Sequence, residues 1–134
     1  MDKLICLDSS IFINHFREKD KENTFFTKLS YRYSGFIISI VAEFEVLIGV
    51  SSGKDENYWD TIFNDITIIP FTTAINKIAI NCSKKLRNSG QQLEFKDLII
   101  GATAIHKHLP LATLNSKHFD KLDSLLIITP FSIV

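Results

Sequence analysis

Residues 3–14 read KLICLDSSIFIN, and this stretch decides the class of fold. After Lys3 the run to Leu7 is apolar without alternation, which is typical of a strand that is buried on both faces. Asp8 follows directly, and the hydroxyl residues Ser9 and Ser10 favour the start of a helix behind it. A buried strand that leads at once into a helix predicts a parallel sheet covered by helices.

The rest of the chain repeats this alternation. Including Lys3–Leu7, the apolar runs are Phe36–Ile38, Ile66–Ile69, Leu111–Thr113 and Leu125–Ile128. Helical patterns lie near residues 9–17, 21–33, 40–52, 55–64, 72–89, 95–107 and 116–121. Strands separated by helices imply right-handed crossovers, so we expect a three-layer α/β/α sandwich with a central, mostly parallel sheet of about five strands. Because the chain has no repeat or long linker, we expect a single domain over residues 1–134.

The composition excludes two classes of protein. The chain has 134 residues, of which 46% are hydrophobic, and this is too apolar for a disordered segment. Its 15 basic and 15 acidic side chains cancel, so net charge would not hold the protein to a nucleic acid. Any role on nucleic acid must therefore come from a local patch or from a metal site.

The cysteines and the apolar stretches indicate a compartment. Cys6 and Cys82 lie in apolar surroundings at no zinc-binding spacing, which is typical of a reducing environment. The longest apolar stretch, Phe36–Val50, is interrupted by Glu43 and Glu45 and is too short to span a bilayer. We therefore expect a soluble cytoplasmic protein.

Two aspartates lie where open parallel sheets bind ligands, beyond the carboxyl ends of strands. Asp8 follows the first strand run, and Asp97 lies just before the apolar segment LIIGATAI, in which Gly101 and Ala102 allow close approach to a neighbour. A carboxylate in the first turn of a helix gains from the helix dipole. Its burial costs more than that gain unless a cation or hydrogen-bond donors compensate. For both aspartates the alternative is a helix cap and nothing more.

A third acidic position lies in the helix predicted after Phe36–Ile38. Glu43 and Glu45 are two positions apart, which is about 200° around a helix, so only one of them can join a common site. Val41 and Gly49 flank Glu45 and make its stripe apolar and tight, while Glu43 also has apolar neighbours. Periodicity alone does not choose between the two glutamates.

A fourth polar position follows the run that ends at Thr113. Asn115 offers a carbonyl ligand or an amide that orients water, and Lys117, His118 and Lys121 behind it are candidate phosphate contacts. The alternatives are a turn or an Asx cap for Asn115, and a solvated charged face for the three residues that follow.

These positions share one predicted location. In a parallel sheet the strand ends and the starts of the following helices point to the same edge, so Asp8, Asp97, Asn115 and one glutamate are expected there. Oxygen ligands without a His or Cys cluster suit magnesium or manganese better than zinc. Carboxylates packed together repel one another, and a divalent cation would keep them ionised.

The chain resembles PIN-domain proteins, and most of all the VapC-type toxin ribonucleases of type II toxin–antitoxin systems. The resemblance covers nearly the whole chain and is carried by ICLDSSIFIN, ISIVAEFEVLIGV, KDLIIGATAIHKHLPLATLN and KHFDKLDSLLIITP. The second motif of the family places an acid six residues after a serine and four before a glycine. Ser39, Glu45 and Gly49 satisfy both spacings, so the resemblance selects Glu45. Asp97–Ala104 fit the third motif, an aspartate followed by Leu-Ile-x-Ala/Gly-Ala-Thr-Ala.

The resemblance implies a magnesium- or manganese-dependent endoribonuclease. Asp8, Glu45 and Asp97 would hold one or two ions, with the two aspartates as direct ligands. Glu45 would orient or deprotonate the attacking water, and Asn115 would fix a bound water or the scissile phosphate. Ser9 would hydrogen-bond a neighbouring carboxylate from behind the metal ligands.

Two positions depart from the pattern of this family. A fourth acid is common where this chain has Asn115, and some relatives carry an aspartate where it has His118. The site therefore resembles a version with three carboxylates, which would hold a second ion less firmly. The departures leave open an alternative function, a catalytically degenerate PIN domain that binds RNA or a protein partner without cutting.

The resemblance also implies partners, which are an RNA substrate, a small antitoxin protein and a second copy of the chain. In the family the antitoxin wraps the toxin with a helix and can insert a basic side chain into the acidic pocket. The early helices carry aromatic residues that are candidates for such contacts, and the alternative for each is a place in the core. They are Phe25, Phe26, Tyr31, Tyr33 and Trp59.

Overall fold

The computed structural model describes residues 3–51 and 53–132. Its strands are β1 (Leu4–Leu7), β2 (Gly35–Ser39), β3 (Thr67–Ile69), β4 (Leu111–Ala112) and β5 (Ile127–Ile128). Its α-helices are α1 (Ser9–Arg17), α2 (Phe25–Ser30), α3 (Ile40–Leu47), α4 (Gly53–Phe63), α5 (Thr73–Asn88), α6 (Phe95–Lys107) and α7 (Ser116–Phe119). The predicted domain of residues 1–134 and the predicted helix over 40–52 also include residues outside the described part, namely Met1, Asp2, Ser52, Ile133 and Val134.

The strands form one parallel sheet in the order β3-β2-β1-β4-β5. Cys6 in β1 pairs with Ile37 of β2 on one side and with Leu111 of β4 on the other. The chain thus builds the sheet outward from β1 in one direction and then returns to the other side of β1. This reversal makes the carboxyl ends of β1 and β4 neighbours, which is where open α/β sheets form their binding crevices.

The predicted fold class, an α/β/α sandwich with a parallel sheet of five strands, is confirmed. Every predicted apolar run contains a strand, with ends that differ by one or two residues. The run over Leu125–Ile128 is shorter as a strand, because Leu125 N–H donates to Leu122 O in a turn at 3.1 Å. No helix in the described ranges combines the length and apolarity that a bilayer crossing requires.

Two helix predictions were too long by more than two residues. The predicted helix over 21–33 is a 3₁₀ turn at Lys21–Asn23 followed by α2, because the Thr24 hydroxyl accepts from Thr27 N–H at 3.2 Å and caps a new helix. The predicted helix over 40–52 ends at Leu47, where Val50 N–H donates to Leu47 O at 3.0 Å in a turn.

Among the helices that carry predicted site residues, α6 has the longest run of buried residues. Residues 97–104 are all buried, as expected for an apolar helix packed against the sheet. A Cβ atom added at Gly101 would lie 2.5 Å from Leu122 Cδ1 and 3.7 Å from Phe119 Cδ1, so glycine permits the close approach predicted from the sequence. This packing holds the first turn of α6, with Asp97, at the edge of the sheet.

Candidate active site

Asp8 occupies the junction between β1 and α1. It is 3% exposed, and its side chain caps α1 by accepting from Ser9 N–H at 2.8 Å through Oδ1. Oδ2 accepts from the hydroxyls of Ser10 and Thr113, each at 2.8 Å. These donors, all neutral, hold the carboxylate in one orientation. Asp8 is therefore both the cap that the sequence allowed and a member of a wider buried network.

Thr113 and Ser10 tie the segment after β4 to Asp8. The Thr113 hydroxyl accepts from Asn115 N–H at 2.9 Å, and the Ser10 hydroxyl accepts from Leu114 N–H at 3.1 Å. Sequence reasoning assigned no site role to Thr113. The available signal was a hydroxyl residue at the carboxyl end of an apolar run, which becomes informative only once β4 is known to lie beside β1.

Glu45, on α3, is the glutamate that reaches the Asp8 region. Ser9 Oγ lies 3.2 Å from Glu45 Oε1 and 3.4 Å from Asp8 Oδ1, so its single proton bridges the two carboxylates or serves one at a time. Glu45 Oε2 lies 3.0 Å from the Lys96 ammonium. Ser9 thus lies beside two carboxylates, and the family resemblance implied that it would hydrogen-bond one.

Asp97 lies in the first turn of α6 and is almost fully buried. Burial raises the pKa of its carboxyl group, and the negative charges of Asp8 and Glu45 raise this pKa further. His118 and Lys96 act in the opposite direction, and His118 Nδ1 lies 3.3 Å from Asp97 Oδ2. Asp97 therefore lies within the electrostatic reach of both other predicted acids.

Lys96 is a member of this cluster that sequence reasoning missed. Its ammonium lies 3.0 Å from Glu45 and 3.9 Å from Glu94, and the hydrogen bond and charge of Glu45 are the largest causes that raise the pKa of Lys96. Its position next to Asp97 in the sequence was the only available signal. The pairing with Glu45, which lies 51 residues earlier in the sequence, depends on the contact between α3 and α6.

Asn115 and the basic residues behind it lie on the solvent side of the same edge. Asn115 occupies the cap position of α7, but its side chain makes no capping hydrogen bond, so the alternative of an Asx cap does not account for it. Lys121 Nζ donates to Gln92 O at 3.2 Å, on the loop between α5 and α6. Lys117 is exposed, and His118 contacts Asp97.

The acids are not arranged as a ready metal centre. Within residues 3–51 and 53–132, no three His, Cys, Asp or Glu side chains form a group that could hold a metal ion. Two of the three predicted ligands instead have basic side chains against their carboxylates, the Lys96 ammonium on Glu45 and the His118 imidazole on Asp97. The predicted residues share one edge of the sheet, and their carboxylates are engaged by protein groups.

The aromatic residues proposed for partner contacts divide between core and surface. Phe25 and Trp59 are buried, and Phe26 and Tyr33 pack against the core, whereas Tyr31 is exposed. The alternative, a place in the core, therefore holds for four of the five residues, namely Phe25, Phe26, Tyr33 and Trp59.

A different apolar surface lies on α3 and beside it. A groove of about 350 Å³ runs between α1, α3 and α4, and its lining includes Phe16, Trp59 and Glu45. On the outer face of α3, Phe44 is 63% exposed and Ile48 is 69% exposed. Large apolar side chains at this exposure are typical of surfaces that contact another protein.

Comparison with known proteins gives consistent matches along the chain. The PIN domain family matches residues 5–125. Ribonuclease VapC1 of Methanocaldococcus jannaschii is 32% identical over 121 residues, which are 88% of this chain and 80% of that protein. Ribonuclease VapC of Rickettsia bellii is 28% identical over 132 residues, which are 93% and 95% of the two chains.

Solved structures agree with the fold. VapBC2 from Rickettsia felis, in its crystal structure bound to a DNA fragment from their promoter, has a TM-score of 0.78 to this chain at 22% identity. The match covers 94% of this chain and 98% of that chain. The sheet order, the position of Asp8 between β1 and α1, and the family match over residues 5–125 lead to the same assignment. This chain belongs to the PIN-domain family and is related to its VapC members.

Proposed function

We propose that this protein, as one PIN domain over residues 1–134, is a metal-dependent endoribonuclease and the toxin of a toxin–antitoxin pair. The relatives from Methanocaldococcus jannaschii and Rickettsia bellii are both named as VapC ribonucleases. One observation carries the proposal for this chain: the Ser9 hydroxyl lies 3.4 Å from the Asp8 carboxylate and 3.2 Å from that of Glu45, and buried Asp97 is near enough for both charges to raise its pKa. Carboxylates gathered in this way repel one another, and such groups are typical of functional sites.

The donor set fits a hard divalent cation, Mg²⁺ or Mn²⁺. Asp8, Glu45 and Asp97 supply oxygen ligands only, and the negative charge at this edge already attracts the ammonium group of Lys96 to Glu45. We assign Asp8 and Asp97 as the direct ligands. When bound, the ion would activate water and neutralise the charge that develops on the phosphate.

The side chains of the protein would position the reactants. Glu45 is partly exposed and would orient the attacking water and accept its proton on a carboxylate oxygen. Ser9 would hold Glu45 and Asp8 relative to each other through its hydroxyl group. Asn115 has a side-chain amide that is not used in capping α7 and would fix a water or the scissile phosphate.

RNA is the proposed substrate, and basic side chains at the rim would contact its phosphates. Lys117 and His118 are exposed in α7, and His118 Nδ1 lies 3.3 Å from Asp97 Oδ2. Lys121 has an ammonium group that bonds to Gln92 O, which orients it along the α5–α6 loop. Phosphate contacts of this kind position the strand and carry no base specificity.

We further propose a small antitoxin and a second copy of the chain as protein partners. A toxin–antitoxin complex from Klebsiella pneumoniae has a similar fold, which supports the antitoxin partner. In this chain the groove between α1, α3 and α4 and the exposed Phe44 and Ile48 provide apolar surface for such contacts. The groove also includes Glu45, so a partner that fills it would lie against the proposed site.

The proposal is tested by RNA cleavage with a matched pair of variants. We expect the protein to cut a structured RNA in Mg²⁺ or Mn²⁺, and EDTA to stop the reaction. Asp8→Asn should lower the cleavage rate by about a hundredfold or more, because changes behind metal ligands alone cost roughly 10–100-fold. Asp65→Asn is the control, since Asp65 is exposed and precedes β3 at the opposite edge of the sheet. Cleavage by Asp8→Asn at the wild-type rate would refute the site.

One observation favours a second candidate, a binding module without catalysis. The carboxylates of Glu45 and Asp97 are already paired with Lys96 and His118, so the acids have partners without any metal. A degenerate PIN domain would retain RNA or a protein partner in a binding assay and leave the RNA intact in both metals. Cleavage that depends on Asp8 excludes this candidate.

A further inference from the structure

The ion pair between Lys96 and Glu45 is the closest cationic contact at the acidic edge. Lys96 Nζ lies 3.0 Å from Glu45 Oε2, and Ser9 Oγ lies 3.2 Å from Glu45 Oε1. Both oxygens of this carboxylate therefore have a protein partner. Glu94 Oε2, at 3.9 Å from the ammonium, helps to keep Lys96 at this position.

The location of Lys96 makes the contact specific to the site. Lys96 lies in the first turn of α6, one residue before Asp97, and its charge acts on Asp97 as well as on Glu45. The N-terminus of a helix repels a cation, so the helix dipole does not explain why the Lys96 ammonium lies at the start of α6. The negative charges of Glu45, Asp97 and Glu94 do account for it.

We propose that Lys96 competes with the divalent cation for Glu45 and thereby sets the affinity of the site for metal. This inference rests on the proposed function, in which the two aspartates would be the direct ligands and Glu45 would hold the ion through a bound water. With Lys96 in place, the Glu45 carboxylate faces the ammonium, and this agrees with the lack of a three-residue metal group among the described residues. Binding of the cation then requires Glu45 to exchange one partner for another.

The exposure of the two side chains decides the size of the effect. The Lys96 side chain is 47% exposed and that of Glu45 is 20% exposed, so water screens the pair and a dication can displace the ammonium. Loss of a partly exposed ion pair corresponds to roughly a two- to fivefold change in an equilibrium constant. Competition of this size tunes metal affinity and does not prevent binding.

The test measures Mn²⁺ binding to the metal-free protein by calorimetry. Lys96→Met should bind Mn²⁺ about two- to fivefold more tightly than the wild type, and Lys96→Arg should keep the wild-type affinity. Lys107→Met is the matched control, because Lys107 is exposed at the other end of α6. It lies roughly 16 Å along the helix from Lys96, beyond the Debye length of about 8 Å at physiological salt.

A second measurement detects the displacement in the wild-type protein itself. In ¹⁵N-labelled protein, saturating Mg²⁺ should move the side-chain ammonium resonance of Lys96 and leave that of Lys107 in place. A Lys96 resonance that does not respond to saturating Mg²⁺ contradicts the competition. This measurement needs no substitution, so it stands even if a variant folds poorly.

The outcomes separate this inference from the proposed function. If the wild type binds Mn²⁺ and Lys96→Met binds it no more tightly, the competition is wrong and the proposed function stands. If Lys107→Met tightens binding as much as Lys96→Met, the effect is one of net charge and the inference also fails. If neither the wild type nor Lys96→Met binds Mn²⁺, both the inference and the metal-dependent function are refuted.

Discussion

The carboxylates at the acidic edge are held in two different ways. Asp8 is buried among neutral donors, the N–H of Ser9 and the hydroxyls of Ser10 and Thr113. Glu45 and Asp97 instead have basic partners, the Lys96 ammonium and the His118 imidazole, whose side chains are each about half exposed. We refer to these as the neutral-donor side and the ion-pair side of the site.

The difference indicates that the two sides of the site have different roles. Neutral donors packed in the interior fix one orientation of Asp8, because leaving any of them without an acceptor would cost free energy. Exposed cations are held weakly and can move away. The neutral-donor side is therefore suited to a permanent ligand position, and the ion-pair side to groups that change partners when a metal or a phosphate arrives.

The largest difference between the two sides should appear when each carboxylate is removed. Asp8→Ala leaves buried donors on Ser9, Ser10 and Thr113 without their acceptor, and we expect the free energy of unfolding to fall by about 2–4 kcal/mol. Glu45→Ala should lower it by less than about 1 kcal/mol, because the half-exposed Lys96 regains water and the Ser9 hydroxyl keeps Asp8 as an acceptor. Urea denaturation in EDTA measures both values. Equal losses in the free energy of unfolding for the two variants would contradict this difference between the two sides.

Thr113→Val tests the neutral-donor side at constant volume. The valine removes the donor to Asp8 Oδ2 and the acceptor for Asn115 N–H, so we expect a loss of about 1–2 kcal/mol in the free energy of unfolding. Thr103→Val is the control, because the buried Thr103 hydroxyl donates only to Ile99 O within α6. If the control loses as much as Thr113→Val, the network around Asp8 has no special role in stability.

Asp97→Asn should have the smallest effect, and in the opposite direction. The pKa of Asp97 is raised mainly by burial, so the folded state holds its proton to a higher pH than the unfolded state. Stability is then lost as pH rises from the unfolded pKa through the folded pKa, and this penalty is fully present at neutral pH. Removing the charge should therefore raise the free energy of unfolding at pH 7 in EDTA, by under about 1 kcal/mol.

The pH dependence distinguishes this explanation from a general packing effect. The gain from Asp97→Asn should shrink as pH falls towards 4, where the wild-type carboxyl group becomes protonated in both states. Saturating Mn²⁺ should reverse the order of stability, since the ion stabilises the wild type more strongly. A gain that is the same at pH 7 and pH 4.5 would show that the charge of Asp97 is not its cause.

Local signals predicted much of the fold. The predicted bounds of α1 and α6 agree with the structure residue for residue, because apolar periodicity and hydroxyl or acidic residues at the first turn mark both helices. The error at α2 came from Thr24, whose capping hydrogen bond divides a stretch that has helical periodicity throughout. Capping competes with helix continuation through a single side-chain bond, which composition does not reveal.

The candidate site was predictable to a different depth for each residue. Asp8 and Asp97 followed from their positions at a strand end and at a helix start. Glu45 could not be separated from Glu43 by periodicity, and only the family motif selected it. Lys96 was missed, because its contact with Glu45 joins two helices that are far apart in the sequence.

The sequence alone determined the alternation of buried strands and helices, and with it a parallel sheet whose carboxyl edge gathers polar side chains. Those features follow from burial periods of a few residues, which each segment carries by itself. The tertiary structure decided that β4 lies beside β1, so that Thr113 reaches Asp8, and that Lys96 and His118 take the other two acids as partners. Strand order and ion pairing depend on packing between distant segments, and no local pattern encodes that packing.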